Sequence, residues 1–387
     1  MRILMISDVY FPRINGVSTS IRTFHKELTE LGHDITLIAP EYNENNGAHD
    51  WIHRVPSRYI PLDPEDRMMQ RRHISTLYDT LKREQYDILH IQTPFVAHYE
   101  GVKLSRMLDI PRVETYHTHF EEYLYHYMPF APKSLMRFSA RWFNRQQCND
   151  VDAVIVPSQA MLNILEDYGI ERPKEIIATG IDEEFFKKGD GSRFRAKYGI
   201  EQNRPVLVHV GRVAHEKNID FLLQMLPLVR KTIPDILLVI AGEGPATGHL
   251  QNLVRTLDLE NNVQFVGYLD RATTLLDCYC AGDIFVFASR TETQGLVLLE
   301  AMAQGVPVVS ISALGTDDIL GPGQGALVAQ EDREDFATKV IRLLQDPAQR
   351  SHLAREARVY AGTWSAKSFA VKTELFYQKA IEGYRLN

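Results

Sequence analysis

Cysteine is scarce: Cys148, Cys278 and Cys280 are the only three in 387 residues, too few for a disulfide framework. Cys278-Tyr279-Cys280 also lacks the two-residue spacer of a zinc or thioredoxin-type pair, so a reducing, cytoplasmic setting is expected. Positive charge is in deficit, with 43 Lys plus Arg against 50 Asp plus Glu and a net charge of −7. That balance excludes a general nucleic-acid binder, which needs a basic face. No uncharged apolar run approaches the ~20 residues of a membrane-spanning helix. Met1–Ile6 meets Asp8 too early for an export signal and has no small-residue cleavage site after it. Any membrane contact is therefore expected to be peripheral, on the inner face of the cell membrane. No Asp-x-Asp pair stands out, so no tightly bound metal is expected.

What is present is ordinary globular material, 44% hydrophobic and long enough for two domains. Short β-branched runs alternate with longer stretches of helical period, the pattern of parallel βαβ units. Ile3 to Ser7 reads as a buried first strand. Ile21, Phe24, Leu28 and Leu31 then recur at helical spacing up to Gly32, and Asp34–Pro40 reads as a second strand. Further strands are expected at 88–91, 112–116, 153–157 and 175–178, with Ser158 as an N-cap for the following helix. The pattern lapses around 179–205, through Gly189-Asp190-Gly191-Ser192, and resumes with strands near 206–210, 236–241, 263–266, 284–288 and 306–311. The economical reading is α/β, two doubly wound Rossmann-like domains facing across a cleft. The boundaries are 1–182, a linker at 183–204, a second domain at 205–364, and a helix at 365–387 crossing back to the first. Ligands of such sheets bind beyond the carboxyl ends of the strands.

Four polar clusters follow predicted strands. In Asn15-Gly16-Val17-Ser18, Gly16 lets backbone N–H groups approach an anion at a helix start; the bland alternative is a turn with Ser18 as N-cap. In Thr115-Tyr116-His117-Thr118-His119, a histidine can hydrogen-bond a phosphate or sugar hydroxyl or move a proton; both could equally be loop histidines. In Gly211-Arg212-Val213-Ala214-His215-Glu216-Lys217-Asn218, the planar fork of Arg212 and the point charge of Lys217 can converge on one diphosphate. No glycine-rich run precedes Lys217 and no Ser or Thr follows it, so this is not a Walker loop; a solvated loop with two surface charges is the rival. In Glu292-Thr293-Gln294-Gly295-Leu296-Val297-Leu298-Leu299-Glu300, Gly295 opens a helix whose Leu296 and Val297 amides suit an anion. Glu292 is placed to accept from hydroxyls. Glu300, a carboxylate among apolar neighbours, needs a partner: a ribose diol or a nearby cation.

With these residues in view, the chain resembles the retaining GT-B glycosyltransferases of family 4, most strongly from Gly211 to Pro307. The resemblance implies that Gly211, Arg212 and Lys217 bind a nucleotide sugar's diphosphate, that Glu300 holds its ribose, and that Glu292 meets the transferred sugar. Gly295, Leu296 and Val297 would supply backbone amides, with Gly16 near the phosphate. His117, Arg212, Lys217 and Glu292 are the implied catalytic set; His119 has no clear counterpart. Thr291-Glu292-Thr293-Gln294-Gly295, and Tyr116-His117-Thr118 followed by tyrosines and His126, are similar to bacterial diacylglycerol glucosyltransferases. The sequence departs from the family in reading Asn15-Gly16 where paired glycines are common. The first domain would bind the acceptor and the second the nucleotide sugar.

One stretch bears on the acceptor. From Tyr123 to Asn149 there is no acidic residue, while Lys133, Arg137, Arg141 and Arg145 recur every fourth position among Leu135, Met136, Phe138, Trp142 and Phe143. Such a helix suits an anionic membrane surface, or packs its apolar side on the core and leaves the basic side in water. The expectation is transfer of a hexose, glucose favoured, from a nucleotide sugar (UDP favoured, GDP the alternative) to a membrane glycerolipid such as diacylglycerol. A soluble sugar or glycan acceptor, or a GT-B-like nucleotide-sugar epimerase, is the alternative.

Overall fold

The computed structural model describes residues 1–42, 49–60, 63–117 and 133–386, with backbone alone at 60, 63–66 and 133–137. Contacts divide the chain into two units, Met1–Gly180 with Ala366–Asn387, and Ile181–Ser365.

In the first unit, β1 (Arg2–Ile6), β2 (Asp34–Pro40) and β3 (Ile52–Val55) lie on one side of a sheet. A two-stranded antiparallel hairpin, β4 (Ser57–Ile60) and β5 (Asp63–Met69), forms a separate sheet that packs beside β2. The sheet continues with β6 (Ile88–Ile91), β7 (Arg112–Thr115), β8 (Ala153–Val156) and β9 (Lys174–Ile176). Its order is β3-β2-β1-β6-β7-β8-β9, and each pairing is parallel. β1 and β6 are buried on both faces, as expected of a parallel sheet covered by crossover helices. The helix Gly16–Glu30 buries Ile21, Phe24 and Leu28, and Gly32 follows it at φ 88°, the left-handed stop that favours glycine. The last helix, Ala366–Leu386, buries Ala370, Phe376, Tyr377 and Ile381 in the same core as β1.

The second unit repeats the plan with β10 (Val206–Val210), β11 (Leu237–Ala241), β12 (Val263–Gly267), β13 (Ile284–Phe287), β14 (Val308–Ile311) and β15 (Ala326–Ala329). The order is β12-β11-β10-β13-β14-β15, again parallel throughout. In each sheet the strand order reverses beside the first strand, between β1 and β6 and between β10 and β13. That switch point opens a crevice at the carboxyl ends of the strands.

The expected linker at 183–204 is instead part of the second unit. A 3₁₀ turn at Glu183–Phe186 and a helix at Gly191–Lys197 bury Phe185 and Phe194 in its core. Asp277 accepts two bonds from the Arg193 guanidinium at 2.7 and 2.8 Å. Gly189 and Gly191 lie so close to the Thr274–Ala281 helix that a Cβ would meet its backbone at 2.4 and 2.2 Å. These glycines, which resemble linker residues, are there for close packing.

Candidate functional site

The second unit's switch point brings two sequence-predicted residues together. Lys217 follows β10, Glu292 follows β13, and Lys217 Nζ lies 2.6 Å from Glu292 Oε1, both side chains about one-fifth exposed. The loop carrying Lys217 is braced from beneath. Gly211 N–H donates to Ala241 O at 3.0 Å, Val213 N–H to Glu243 O at 2.9 Å, and Ala246 N–H to Val213 O at 3.0 Å. A Cβ at Gly242 or Gly244 would sit 1.9 or 2.4 Å from the carbonyl oxygens of Gly211 and Val213. The two glycines let these loops touch. Asn218, at φ 54°, turns the chain into the helix Ile219–Thr232 and donates from Nδ2 to Ala288 O at 3.1 Å. Arg212 stands 3.6 Å from Glu216 in the same loop.

Gly295 caps the helix Leu296–Ala303 at φ 93°, and a Cβ there would meet Thr316 Cγ2 at 2.9 Å. Leu296 and Val297 are first-turn residues, whose amides have no acceptor inside the helix. Gly315 N–H donates to Glu292 O at 2.9 Å, which fixes the loop before that helix. Glu300, 2% exposed, has both oxygens engaged: Oε2 accepts from Tyr279 OH at 2.8 Å, and Oε1 from the Arg271 guanidinium. Of the two partners considered for Glu300, the cation is present. The carboxylate still has lone pairs for a diol. Burial works against charge on Arg271, but Glu300 outweighs it and raises the guanidinium's pKa; burial, then Glu300, raises that of Tyr279.

In the first unit Gly16 is the exposed first residue of its helix. The cap is Asn15, whose Oδ1 accepts from Ser18 N–H at 2.8 Å; Ser18 is inside the helix, not the cap. His117 stands just beyond β7, with Nε2 3.2 Å from Gln92 Oε1. An amide oxygen only accepts, so Nε2 carries the proton and Nδ1 is left as an acceptor. Burial lowers the His117 pKa to about 4, so the imidazole is neutral at pH 7. Asp8, not among the site residues expected from sequence, accepts from Thr93 Oγ1 at 2.8 Å and Ala97 N–H at 3.1 Å, tying the ends of β1 and β6 to the helix Val96–Leu108. Burial raises it to about 6. His119 lies outside the described residues.

Two further histidines sit under these sites, fully buried. His90 Nε2 meets Thr115 Oγ1 at 2.7 Å and Nδ1 meets Tyr377 OH at 2.5 Å, joining β6 and β7 to the last helix. His209 Nδ1 meets Val286 O at 3.1 Å. Burial lowers their pKa values to about 3 and about 4. Unfolding lets each imidazole take up a proton near pH 6.5, so stability is complete above that pH and is lost as pH falls toward 4. The expected loss at pH 5 is about 2 kcal/mol per histidine. In the first unit, raised Asp8 opposes it, regaining about 1 kcal/mol between pH 7 and 5. Denaturant titrations at pH 7.5 and 5 check this, and His209→Asn should flatten the second unit's profile.

The basic helix spans Lys133–Asn149. The side chains of Lys133 and Arg137 lie outside the described residues. Ala140, Asn144, Gln147 and Cys148 face the core, while Phe138, 69% exposed, and Trp142, 59% exposed, share the outer side with exposed Arg141 and Arg145. The aromatic bulk at these two positions is on the basic face, not packed beneath it. Among the described residues no helix is long and apolar enough to cross a membrane.

Comparison with known proteins follows the same division. Residues 14–185 match the family model Glycosyltransferase Family 4, and 190–360 match Glycosyl transferases group 1. An alpha-monoglucosyldiacylglycerol synthase of Streptococcus pneumoniae R6 is 34% identical, over 98% of this chain and 86% of that one. Its namesake from Acholeplasma laidlawii is 26% identical over 99% and 98%. A GDP-mannose-dependent alpha-mannosyltransferase of Mycolicibacterium smegmatis is 27% identical over 96% and 94%. Among solved structures, sucrose-phosphate synthase of Thermosynechococcus elongatus superposes with a TM-score of 0.79 at 20% identity, covering 98% of each chain. Anabaena HepE in complex with UDP and glucose gives 0.77 at 18%, covering 98% of this chain and 100% of that one.

Proposed function

The chain belongs to the GT-B glycosyltransferases, in Glycosyltransferase Family 4, and from that premise we propose that it moves a hexose, glucose, from UDP to the hydroxyl of a membrane glycerolipid such as diacylglycerol. The observation that carries the transfer chemistry is the Lys217–Glu292 pair at 2.6 Å, a cation and a hydroxyl-accepting carboxylate side by side at the carboxyl ends of β10 and β13. Departure of a nucleoside diphosphate builds negative charge. In this reading Arg212, Lys217 and the amides of Leu296 and Val297 stabilise that charge as fixed groups of the second unit. Glu292 accepts from hydroxyls of the transferred sugar, and Glu300 from the ribose. His117, neutral and with Nδ1 accepting, suits a sugar hydroxyl. The acceptor oxygen bonds to the anomeric carbon on the side the diphosphate leaves, its proton passes to that diphosphate, and configuration is retained.

The lipid acceptor draws support from two sources: the name of the relative 34% identical to this chain, and the outer side of the Lys133–Asn149 helix. Exposed Phe138 and Trp142 beside Arg141 and Arg145 suit the interface of an anionic membrane, with aromatics at the acyl boundary and guanidinium groups among headgroups. The protein would work there as a peripheral enzyme on the cytoplasmic face.

The test incubates the purified chain with anionic vesicles containing diacylglycerol and radiolabelled UDP-glucose, with GDP-mannose in parallel. Label is expected in the organic phase with UDP-glucose, reduced in Glu292→Gln and more strongly in Lys217→Ala. Transfer from GDP-mannose alone would replace the donor. Hydrolysis without lipid labelling would discard the lipid in favour of a soluble sugar or glycan, and conversion of the donor sugar without acceptor would reveal an epimerase.

A further inference from the structure

The loop that carries Arg212 and Lys217 also carries His215, which takes no part in the chemistry above. His215 opens the 3₁₀ turn His215–Lys217, Asp220 lies in the first turn of the helix Ile219–Thr232, and His249 in the first turn of the helix Thr247–Thr256. One donor atom from each of the three lies within 4.8 Å of the other two. His249 Nε2 already meets Asp220 Oδ1, and the rings of His215 and His249 are 5.3 Å apart between centroids. We propose that His215, Asp220 and His249 form a binding site for a first-row divalent cation of the Zn²⁺ type, separate from the transfer chemistry.

The donor set selects the ion. Two imidazoles and one carboxylate suit Zn²⁺, Co²⁺, Ni²⁺ or Cu²⁺, whereas Mg²⁺ and Ca²⁺ take oxygen ligands. Tetrahedral Zn²⁺ with bonds near 2.0–2.1 Å sets its donor atoms about 3.4 Å apart. His249 Nε2 and Asp220 Oδ1 already lie inside that spacing and need only open around an ion, so the exposed ring of His215 is the one that turns inward, with water as fourth ligand. The helices carrying Asp220 and His249 pack on each other, so two of the ligands stand on a fixed base. The third is on the loop. A bound ion therefore ties the loop of Arg212 and Lys217 to both helices.

Titration calorimetry of the whole chain with Zn²⁺ alone tests this, alongside Co²⁺ uptake followed by visible absorption. The wild type should bind one equivalent that is absent from His215→Ala/His249→Ala, and Mg²⁺ in excess should not displace it. Losing a ligand must cost at least the ~10–100-fold that losing a ligand's supporting partner costs, so each single histidine variant should raise Kd about tenfold or more. Both histidines are exposed, and a circular dichroism melt confirms that the variants fold. Asp220→Gln should weaken binding while keeping the side chain's polarity. Hydrogen exchange at residues 212–218 should slow with Zn²⁺ in the wild type alone. Equal stoichiometry and affinity in the wild type and the double variant would overturn the proposal, as would no Co²⁺ band at millimolar ion.

Discussion

Lys217→Ala is expected to lower kcat/KM for the nucleotide sugar by about a hundred- to a thousandfold, the cost of removing one preorganised group that faces developing negative charge. In free energy that is about 2.7–4 kcal/mol. The structure adds a reason for the upper end. Lys217 Nζ is 2.6 Å from Glu292 Oε1, and alanine takes that cation away from a carboxylate beside the proposed diphosphate position. Glu292→Gln alone loses the negative charge and one of two acceptor oxygens and frees Lys217 for the phosphates, so its loss should be the smaller and should appear in kcat. Because the two groups touch, their effects are not independent, and the double variant should cost less than the product of the singles. Steady-state kinetics of the four proteins measure the coupling. If the pair only braced the loops, activity in Lys217→Ala would follow folded fraction, with a drop under tenfold and a matching fall in Tm.

The parts of this site that were legible in sequence are those that local chemistry dictates. Gly211–Asn218 and Glu292–Gly295 interrupt apolar strands with charge and glycine, so both loops stood out before any contact was known. Buried strands were legible for the same reason: β1, β2 and β10 are apolar on both faces. The edge strand β3, Ile-His-Arg-Val, carries no such run, since it has a neighbour on one side only and its first three residues are half-buried. Ala326–Ala329 was likewise unread; it is the edge strand on the other unit's sheet, with Val328 exposed. Residues acting as partners were illegible on principle. Arg271 and Tyr279 meet Glu300 from other elements, and no spacing along the chain encodes that. Asp8 was missed although it stands right after the first strand, because a carboxylate there reads as a solvated loop residue.

The basic helix shows a different limit. Four-residue spacing gave the basic stripe, but which side faced inward depended on what the core would accept. Ala140, Asn144, Gln147 and Cys148 took the inner positions, small or polar residues, one of which reaches the carbonyl of Pro94 through Gln147 Nε2. Phe138 and Trp142 were thereby left outside. Periodicity fixes which residues share a face; it does not say which face is buried when the apolar residues are spread around the helix.

Arg271→Ala should destabilise the second unit by about 3–5 kcal/mol, because breaking a buried pair leaves an uncompensated charge. The charge stranded is Glu300, 2% exposed in the helix Leu296–Ala303, with Tyr279 OH still donating to it. Arg271 also lies over the Phe185 ring, 5.1 Å from its centroid, so the truncation removes support from the segment once read as a linker. Removing both charges together, as in Arg271→Met/Glu300→Leu, should cost less than Arg271→Ala alone, since neither charge is then left buried. Donor binding separates structure from function within this triad. Glu300→Gln keeps the shape but has one acceptor oxygen for both Tyr279 OH and the Arg271 guanidinium, so it too should destabilise, while a ribose that needs the carboxylate would raise donor KM. Arg271→Ala, by contrast, frees Glu300 Oε1 from its cation and should leave the affinity of the folded fraction for donor intact. Chemical denaturation and nucleotide titration of these variants read the two effects separately. A Glu300→Gln protein that binds donor normally but melts early would make Glu300 a purely internal counter-ion for Arg271.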